Sequence, residues 1–278
     1  MKIETAADGR AVYTFRQSSL KDLDLCGERA RRNMLGLDPA RETDAACIGT
    51  AMHTAIETCL AEHNDGFALT LSDTLDIWES EFAILSHLPN FHWVKYDSVT
   101  ARKFGRTVTT NWYNQILPTI PADPATLLEE HFSLLVDEND TEVVKLSGTI
   151  DYIRGNDLRD WKSSGRKWQR WEHQRWDVQA TAYTWAAHQL GHADMDRGVM
   201  SFEFDVMTDK QADRITVTRT EADWAWMKEK ILAVVPLLKA DLPSWVKSDN
   251  HALCSSLWCD AYVAGACKGS HGLVMQGS

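Results

Sequence analysis

The stretch that most constrains this chain is "EVVKLSGTIDYIRGNDLRDWKSS", residues 142–164. Apolar residues alternate as far as Arg154, stop at Gly155-Asn156-Asp157, and resume in "LRDWKSS". Alternation with period two marks strands that bury one face. A Gly-Asn-Asp turn between two such runs predicts a β-hairpin. The hairpin sets Asp151 near the end of one strand and Asp160 near the end of its partner. Lys162 falls on the same face as Asp160, because strand side chains alternate. Ile or Val would pack better at all three positions, so the charges call for a chemical reason. Two neighbouring carboxylates repel, and both stay ionised at neutral pH only with a cation between them. Oxygen ligands suit Mg²⁺ or Mn²⁺. An ammonium beside that metal can orient a water or meet a phosphate oxygen. The plainer alternative is a solvated hairpin carrying an Asp–Lys ion pair.

The hydrophobic period organises the rest of the chain. With Ser18 or Ser19 as N-cap, residues 20–37 carry helical spacing, closed by Gly36 and Pro39. Residues 48–64, 71–88 and about 98–117 are three further expected helices. "LPTIPADPAT" has three prolines and reads as a connector. The period then changes to two in "EEHFSLLVD", residues 129–137, which predicts a strand ahead of the hairpin. A helix from about Trp171 to Leu190, strands at 198–207 and 212–220, and a helix at 221–240 follow. From Leu242 the tail is irregular. The order predicts an α/β or α+β fold in one domain. A helical layer would span about 15–120, a core about 126–240, and a cysteine-bearing tail about 242–278.

Net charge is −11, from 29 Lys and Arg against 40 Asp and Glu. This excludes a surface coated in basic charge but leaves room for a local basic track. No apolar run is long enough to cross a membrane. "MKIETAADGR" lacks the apolar core of a signal peptide, so a cytoplasmic protein is expected.

Several short motifs stand in one order: "GTAMH" (49–53), "EEHF" (129–132), "GTID" (148–151), "DWKSS" (160–164) and "QATAY" (179–183). In this the chain resembles the RecB-type branch of the PD-(D/E)XK nuclease superfamily. The resemblance implies a restriction-endonuclease-like core sheet flanked by helices. It implies that His53, Asp151, Asp160 and the Trp161 backbone carbonyl bind Mg²⁺ or Mn²⁺. Lys162 would be the catalytic lysine. Gln179 and Tyr183, one helical turn apart, would hold Lys162 or the DNA. Glu130, or less favourably Glu129, would hold a metal-bound water. Glu57, one turn from His53, is a candidate to orient it. Taken singly, His53 reads better as a core histidine, and Gln179 and Tyr183 as ordinary helix contacts.

Of the six cysteines, Cys254, Cys259 and Cys267 lie in the tail and Cys26 in the first expected helix. This layout resembles the CRISPR-associated four-cysteine exonucleases and AddB-type subunits, which implies a 4Fe–4S cluster on those four thiols. The spacing Cys-x4-Cys-x7-Cys is wider than that family's, so Zn²⁺ with His251 or His271 is the alternative, and free thiols the third. Cys47 and Cys59 read as buried apolar thiols.

Between Lys162 and Gln179, basic residues Arg166, Lys167, Arg170 and Arg175 alternate with Trp168, Trp171 and Trp176. Cations meet phosphates and indoles stack on unpaired bases, so this segment is a candidate DNA track. Arg29, Arg31 and Arg32 are candidates to extend it. The competing reading is a helix with tryptophans in the core and arginines in solvent. Together these features predict a metal-dependent exonuclease acting at DNA ends, preferring single strands, in CRISPR adaptation, recombination or repair. A structure-specific endonuclease and a non-catalytic DNA-end-binding subunit are the alternatives.

Overall fold

The computed structural model describes residues 1–175, 177–248 and 251–267. The elements, in chain order, begin with β1 (Lys2–Thr5), β2 (Ala11–Arg16), α1 (Gln17–Leu25), α2 (Gly27–Leu35) and β3 (Glu42–Thr43). Next come α3 (Asp44–Asn64), α4 (Leu71–Leu85), β4 (Phe91–His92) and α5 (Ser98–Gln115). Then follow β5 (Leu127–Glu138), β6 (Glu142–Arg154), β7 (Asp157–Ser163), α6 (Arg170–Gln174) and α7 (Val178–Gln189). The last are β8 (Met200–Met207), β9 (Ala212–Arg219), α8 (Glu221–Lys239) and α9 (Asp260–Val263). The mixed α/β class expected from the sequence is present.

The chain forms two interleaved compact units. One comprises 1–40, 132–148 and 222 onward; the other comprises 41–131 and 149–221. Strands β5 and β6 run through both.

In the first unit, β1 and β2 pair antiparallel and β2 lies parallel to the first half of β6. Nothing in residues 1–16 alone marks these two strands. "VYTF" is a short apolar run with no second signal, and only pairing along β6 makes it a strand. The expected single helix at 20–37 is two helices. Cys26 separates them in an extended conformation (φ −164°, ψ 116°). The returning tail explains the break. Glu28 N–H donates to the Val246 carbonyl at 3.1 Å, and Trp245 N–H donates to Glu28 Oε2 at 2.8 Å. A Cβ on Gly27 would meet Val246 O at 2.8 Å, so glycine permits this approach.

In the second unit, the sheet order is β6–β7–β8–β9. β6–β7 and β8–β9 are antiparallel, while β7–β8 is parallel. Helix α3 starts at the N-cap Thr43 and repeats apolar residues every third or fourth position: Cys47, Ile48, Ala51, Met52, Ala55, Ile56, Cys59 and Leu60 are all buried. They share a core with Trp78 and Phe82 of α4, Trp112 of α5, Tyr152 of β6 and Trp161 of β7. Trp161 therefore faces the helices, and Asp160 and Lys162 face the other side of β7. The expected helix at 171–190 is also two, α6 and α7. Asp177 ends the gap by capping Gln179 and Ala180 N–H groups.

Candidate active site

Helix α3 and strands β5, β6 and β7 bring the acidic motifs together within the second unit. His53 Nδ1 lies 3.3 Å from Asp151 Oδ2 and 3.8 Å from Glu129 Oε1. One ligand atom from each of His53, Glu129 and Asp151 lies within 4.8 Å of the others. The other ring nitrogen, Nε2, stands 2.7 Å from the Trp161 carbonyl. A carbonyl only accepts, so Nε2 carries a hydrogen and, in the neutral ring, the Nδ1 lone pair turns to the carboxylates. The Trp161 carbonyl thus holds the imidazole that it was expected to join as a ligand. One imidazole nitrogen and two carboxylates form a donor set that divalent cations take.

The β6–β7 ladder pairs Tyr152 with Arg159 through Arg154 with Asp157. Beyond it, the Asp151 carboxylate takes the Trp161 N–H at 2.9 Å. Asp160 is 1% exposed, and its Oδ2 lies 2.5 Å from Lys162 Nζ. Gln179 Nε2 donates to Asp160 Oδ1 at 2.5 Å. The Tyr183 side chain hydrogen-bonds to that of Gln179. Gln179 therefore grips the aspartate beside Lys162, where the resemblance implied that it would hold Lys162 or the DNA.

The electrostatics describe a site short of positive charge. Burial, then the charge of Asp160, pushes the Asp151 carboxyl up to about 7. Burial opposes protonation of His53, yet the Asp151 charge and the neighbouring Glu129 carboxylate raise it to about 9. Burial likewise opposes the Lys162 ammonium, and the Asp160 and Asp151 charges more than offset it, so its pKa rises above the ordinary lysine value. A proton shared among these groups and a divalent cation between them neutralise the same charge. The residues present fit such an ion.

Glu129, not Glu130, is the glutamate that reaches His53. Glu129 has a left-handed backbone (φ 48°), which breaks the alternation that would have favoured its neighbour. Glu130 Oε1 instead lies 3.6 Å from His192 Nε2. Glu57 is exposed on α3, and partial desolvation, then the charge of Glu129, raises its carboxyl pKa. In the sequence, two adjacent glutamates at a strand start left the choice to the backbone.

The basic-aromatic segment divides. Trp168 stacks on His173, ring centroids 4.0 Å apart, and donates Nε1–H to Ser164 Oγ at 3.1 Å. Trp171 is 71% exposed. It shares an open cleft with Arg170, Gln174 and Arg175. Arg166 pairs with Glu172 and Lys167 with Asp213. Trp176 lies outside the described residues. Arg29, Arg31 and Arg32 pair with Asp22, Glu28 and Asp38 respectively.

In the first unit, Cys26, Cys254, Cys259 and Cys267 line one small cavity together with Arg29 and Lys247. All four thiols are half-buried and free. Ser248 N–H donates to Cys26 Sγ at 3.3 Å. Burial pushes the Cys259 thiol up, and Arg29 draws it back. Four thiols lining one cavity, one of them taking a backbone N–H, are of the donor type that a thiolate-ligated group takes; among the described residues only His53, Glu129 and Asp151 bring three ligand atoms within 4.8 Å of one another. The His251 side chain and His271 lie outside the described residues. Cys47 and Cys59 are buried on α3, as expected.

Among the described residues no helix is long and apolar enough to cross a membrane. No curated protein sequence matches the chain. It is similar to the crystal structure of a "Putative exonuclease" from Eubacterium rectale, with TM-score 0.53, 10% identity, and coverage of 95% of this chain and 89% of that one. At this identity the likeness speaks for the fold alone. A likeness to the structure of SSO0001 is weaker, with TM-score 0.36, 11% identity, and coverage of 89% and 94%. The profile described as PD-(D/E)XK nuclease superfamily matches residues 14–261. The chain belongs to the PD-(D/E)XK nuclease superfamily.

Proposed function

We propose that this protein is a metal-dependent DNA exonuclease that acts at ends and prefers single strands. One observation carries the reading: Asp160 and Lys162 lie 2.5 Å apart on β7, beside the His53–Glu129–Asp151 group. Nucleases of this superfamily use divalent metals. His53, Glu129 and Asp151 would hold the ion, with Asp160 at its edge. A bound divalent cation polarises the phosphate and lowers the pKa of its water. Lys162, kept protonated by the two aspartates, would meet a phosphate oxygen where charge builds. Gln179 fixes Asp160, and Tyr183 fixes Gln179. The Trp161 carbonyl fixes the His53 ring. Products with 5′-phosphate and 3′-hydroxyl ends follow the family's pattern.

The end preference draws support from the resemblance to four-cysteine exonucleases and from the name borne by the E. rectale structure. Trp171, Arg170 and Arg175 offer a stacking face and cations for an unpaired strand. On this reading the four cysteines carry a 4Fe–4S cluster that ties Cys26 to the tail, with Zn²⁺ as the competing occupant. The setting is CRISPR adaptation, recombination or repair.

Linear single-stranded DNA labelled at either end tests the reading, with closed circular single-stranded DNA beside it. The proposal expects metal-dependent shortening of the linear strand from a labelled end and an intact circle. Cleavage of the circle would turn the assignment to an endonuclease. Binding without cleavage in Mg²⁺ and Mn²⁺ would turn it to an end-binding subunit.

A further inference from the structure

The loop 93–96 stands beside the segment that follows Lys162. Asp44, the first residue of α3, is fully buried. Its carboxylate accepts three consecutive backbone N–H groups: Val94 at 2.8 Å, Lys95 at 3.0 Å and Tyr96 at 2.6 Å. Charge-assisted bonds of this kind hold a loop in one shape. The pairing of β3 with β4, Glu42 to Phe91 and Thr43 to His92, fixes its near end.

The anchored loop meets the chain just past the acidic site. Up α3 from His53, which touches the Trp161 carbonyl, a Cβ on Gly49 would lie 3.8 Å from Ser163 Oγ. Further on, a Cβ on Gly165 would lie 3.2 Å from Lys95 Nζ and 3.5 Å from the Tyr96 hydroxyl. Lys95 therefore rests on the backbone three residues beyond Lys162, at most about 10 Å along the chain at strand rise. Lys95 is exposed. Its ammonium lies 4.8 Å from the Tyr96 ring, and among the described residues no carboxylate pairs with it. Trp93 in the same loop is 47% exposed and is braced edge-on by Phe91, centroids 4.7 Å apart.

An unpaired cation on an anchored loop and a braced, half-exposed indole are the two parts that hold an unpaired nucleic-acid strand. We propose that the loop 93–96 is a strand-binding wall of the site, with Lys95 on a backbone phosphate of single-stranded DNA and Trp93 stacked on a base. The assignment rests on the nuclease reading of the neighbouring residues. A strand carries one charge per ~3.4 Å of duplex axis, so Lys95 meets a phosphate within a few nucleotides of the cut. The Asp44 anchor serves this by holding the loop backbone that carries Lys95 in one place before the strand arrives.

The test is equilibrium binding of a fluorescein-labelled single-stranded oligonucleotide to the full chain in EDTA, across a salt series. Lys95→Ala is expected to weaken binding about tenfold and to lower the slope of log K on log salt by about 0.7, the share of one phosphate on a single strand. Lys95→Arg should bind like wild type. Trp93→Ala should weaken binding and leave the salt slope unchanged. Lys95 is exposed, so its variants should keep the wild-type melting temperature. Failure of wild type to bind the oligonucleotide, or Lys95→Ala binding with unchanged affinity and slope, overturns the proposal. Cleavage is scored separately with Mn²⁺. Wild type that cleaves while Lys95→Ala binds normally removes the wall and keeps the nuclease. Wild type that never cleaves, with binding still dependent on Lys95, removes the nuclease and keeps the wall.

Discussion

The acidic group and the cysteine cavity are held in different ways. His53 stands on a 21-residue helix, and Asp151, Asp160 and Lys162 stand on neighbouring strands. Helical and strand periods fix where such side chains point. In the cysteine cavity, Cys26 occupies a break between two helices, and Cys259 precedes a four-residue helix. Loops set those positions, and loops tolerate altered spacing. Helix and strand neighbours position the first arrangement, and on the proposed cluster reading the second would draw much of its order from the group its thiols hold.

That contrast can be broken at its strong end first. Lys162→Ala should cut Mn²⁺-dependent cleavage by at least about a hundredfold, the loss typical of removing one preorganised charge stabiliser. The variant should still bind Mn²⁺, which isothermal titration would check. Cleavage near wild type would detach Lys162 from the chemistry. Cys259→Ser should lose its iron or zinc by elemental analysis and melt earlier, while titration of Mn²⁺ into the acidic group stays the same. Equal loss of both metals would mean that the two groups are not independent. Glu129→Gln should weaken Mn²⁺ binding about 10- to 100-fold, while Glu130→Gln should bind like wild type. The reverse ranking would put the wrong glutamate at the site.

Much of the acidic site was legible because its geometry is periodic. The Gly155-Asn156-Asp157 turn and its flanking alternation gave β6 at 142–154 and the start of β7. Asp151, Asp160 and Lys162 followed from that register. Gln179 and Tyr183 came from the resemblance to the family's motif, since helical spacing alone marks them as ordinary helix contacts. What escaped depends on long-range contacts. The strand at 11–16 needs β6 beside it. The break at Cys26 needs the tail at 245–248, more than 200 residues later in the chain. The choice of Glu129 over Glu130 needs one left-handed residue. Trp168 and Trp171 look alike in sequence, and only the stacking partner His173 separates a half-buried ring from an exposed one.

Two smaller effects sharpen the contrast through stability. A Cβ on Gly105 would lie 1.8 Å from Trp78 Cζ2 in the core beneath α3. Gly105→Ala should cost about 1–3 kcal/mol in urea denaturation. In the first unit, burial raises the Glu28 carboxyl, but Arg31 and the Trp245 N–H outweigh it, so its pKa lies below the ordinary value. A lowered folded value means that the Glu28 contribution is complete above the unfolded pKa and is lost as pH falls through the folded one. Glu28→Gln should therefore lower stability by about 1–3 kcal/mol at neutral pH, with the gap to wild type closing in acid. A gap that does not change with pH would show that the pairing with Arg31 is not its cause.

The most direct measurement is Mn²⁺-dependent cleavage of linear single-stranded DNA by wild type, Asp160→Ala and Lys162→Ala, with EDTA as control. Cleavage by wild type alone is expected, abolished by EDTA, with both variants folded and inactive. Cleavage that survives in either variant, or that proceeds in EDTA, would contradict that expectation.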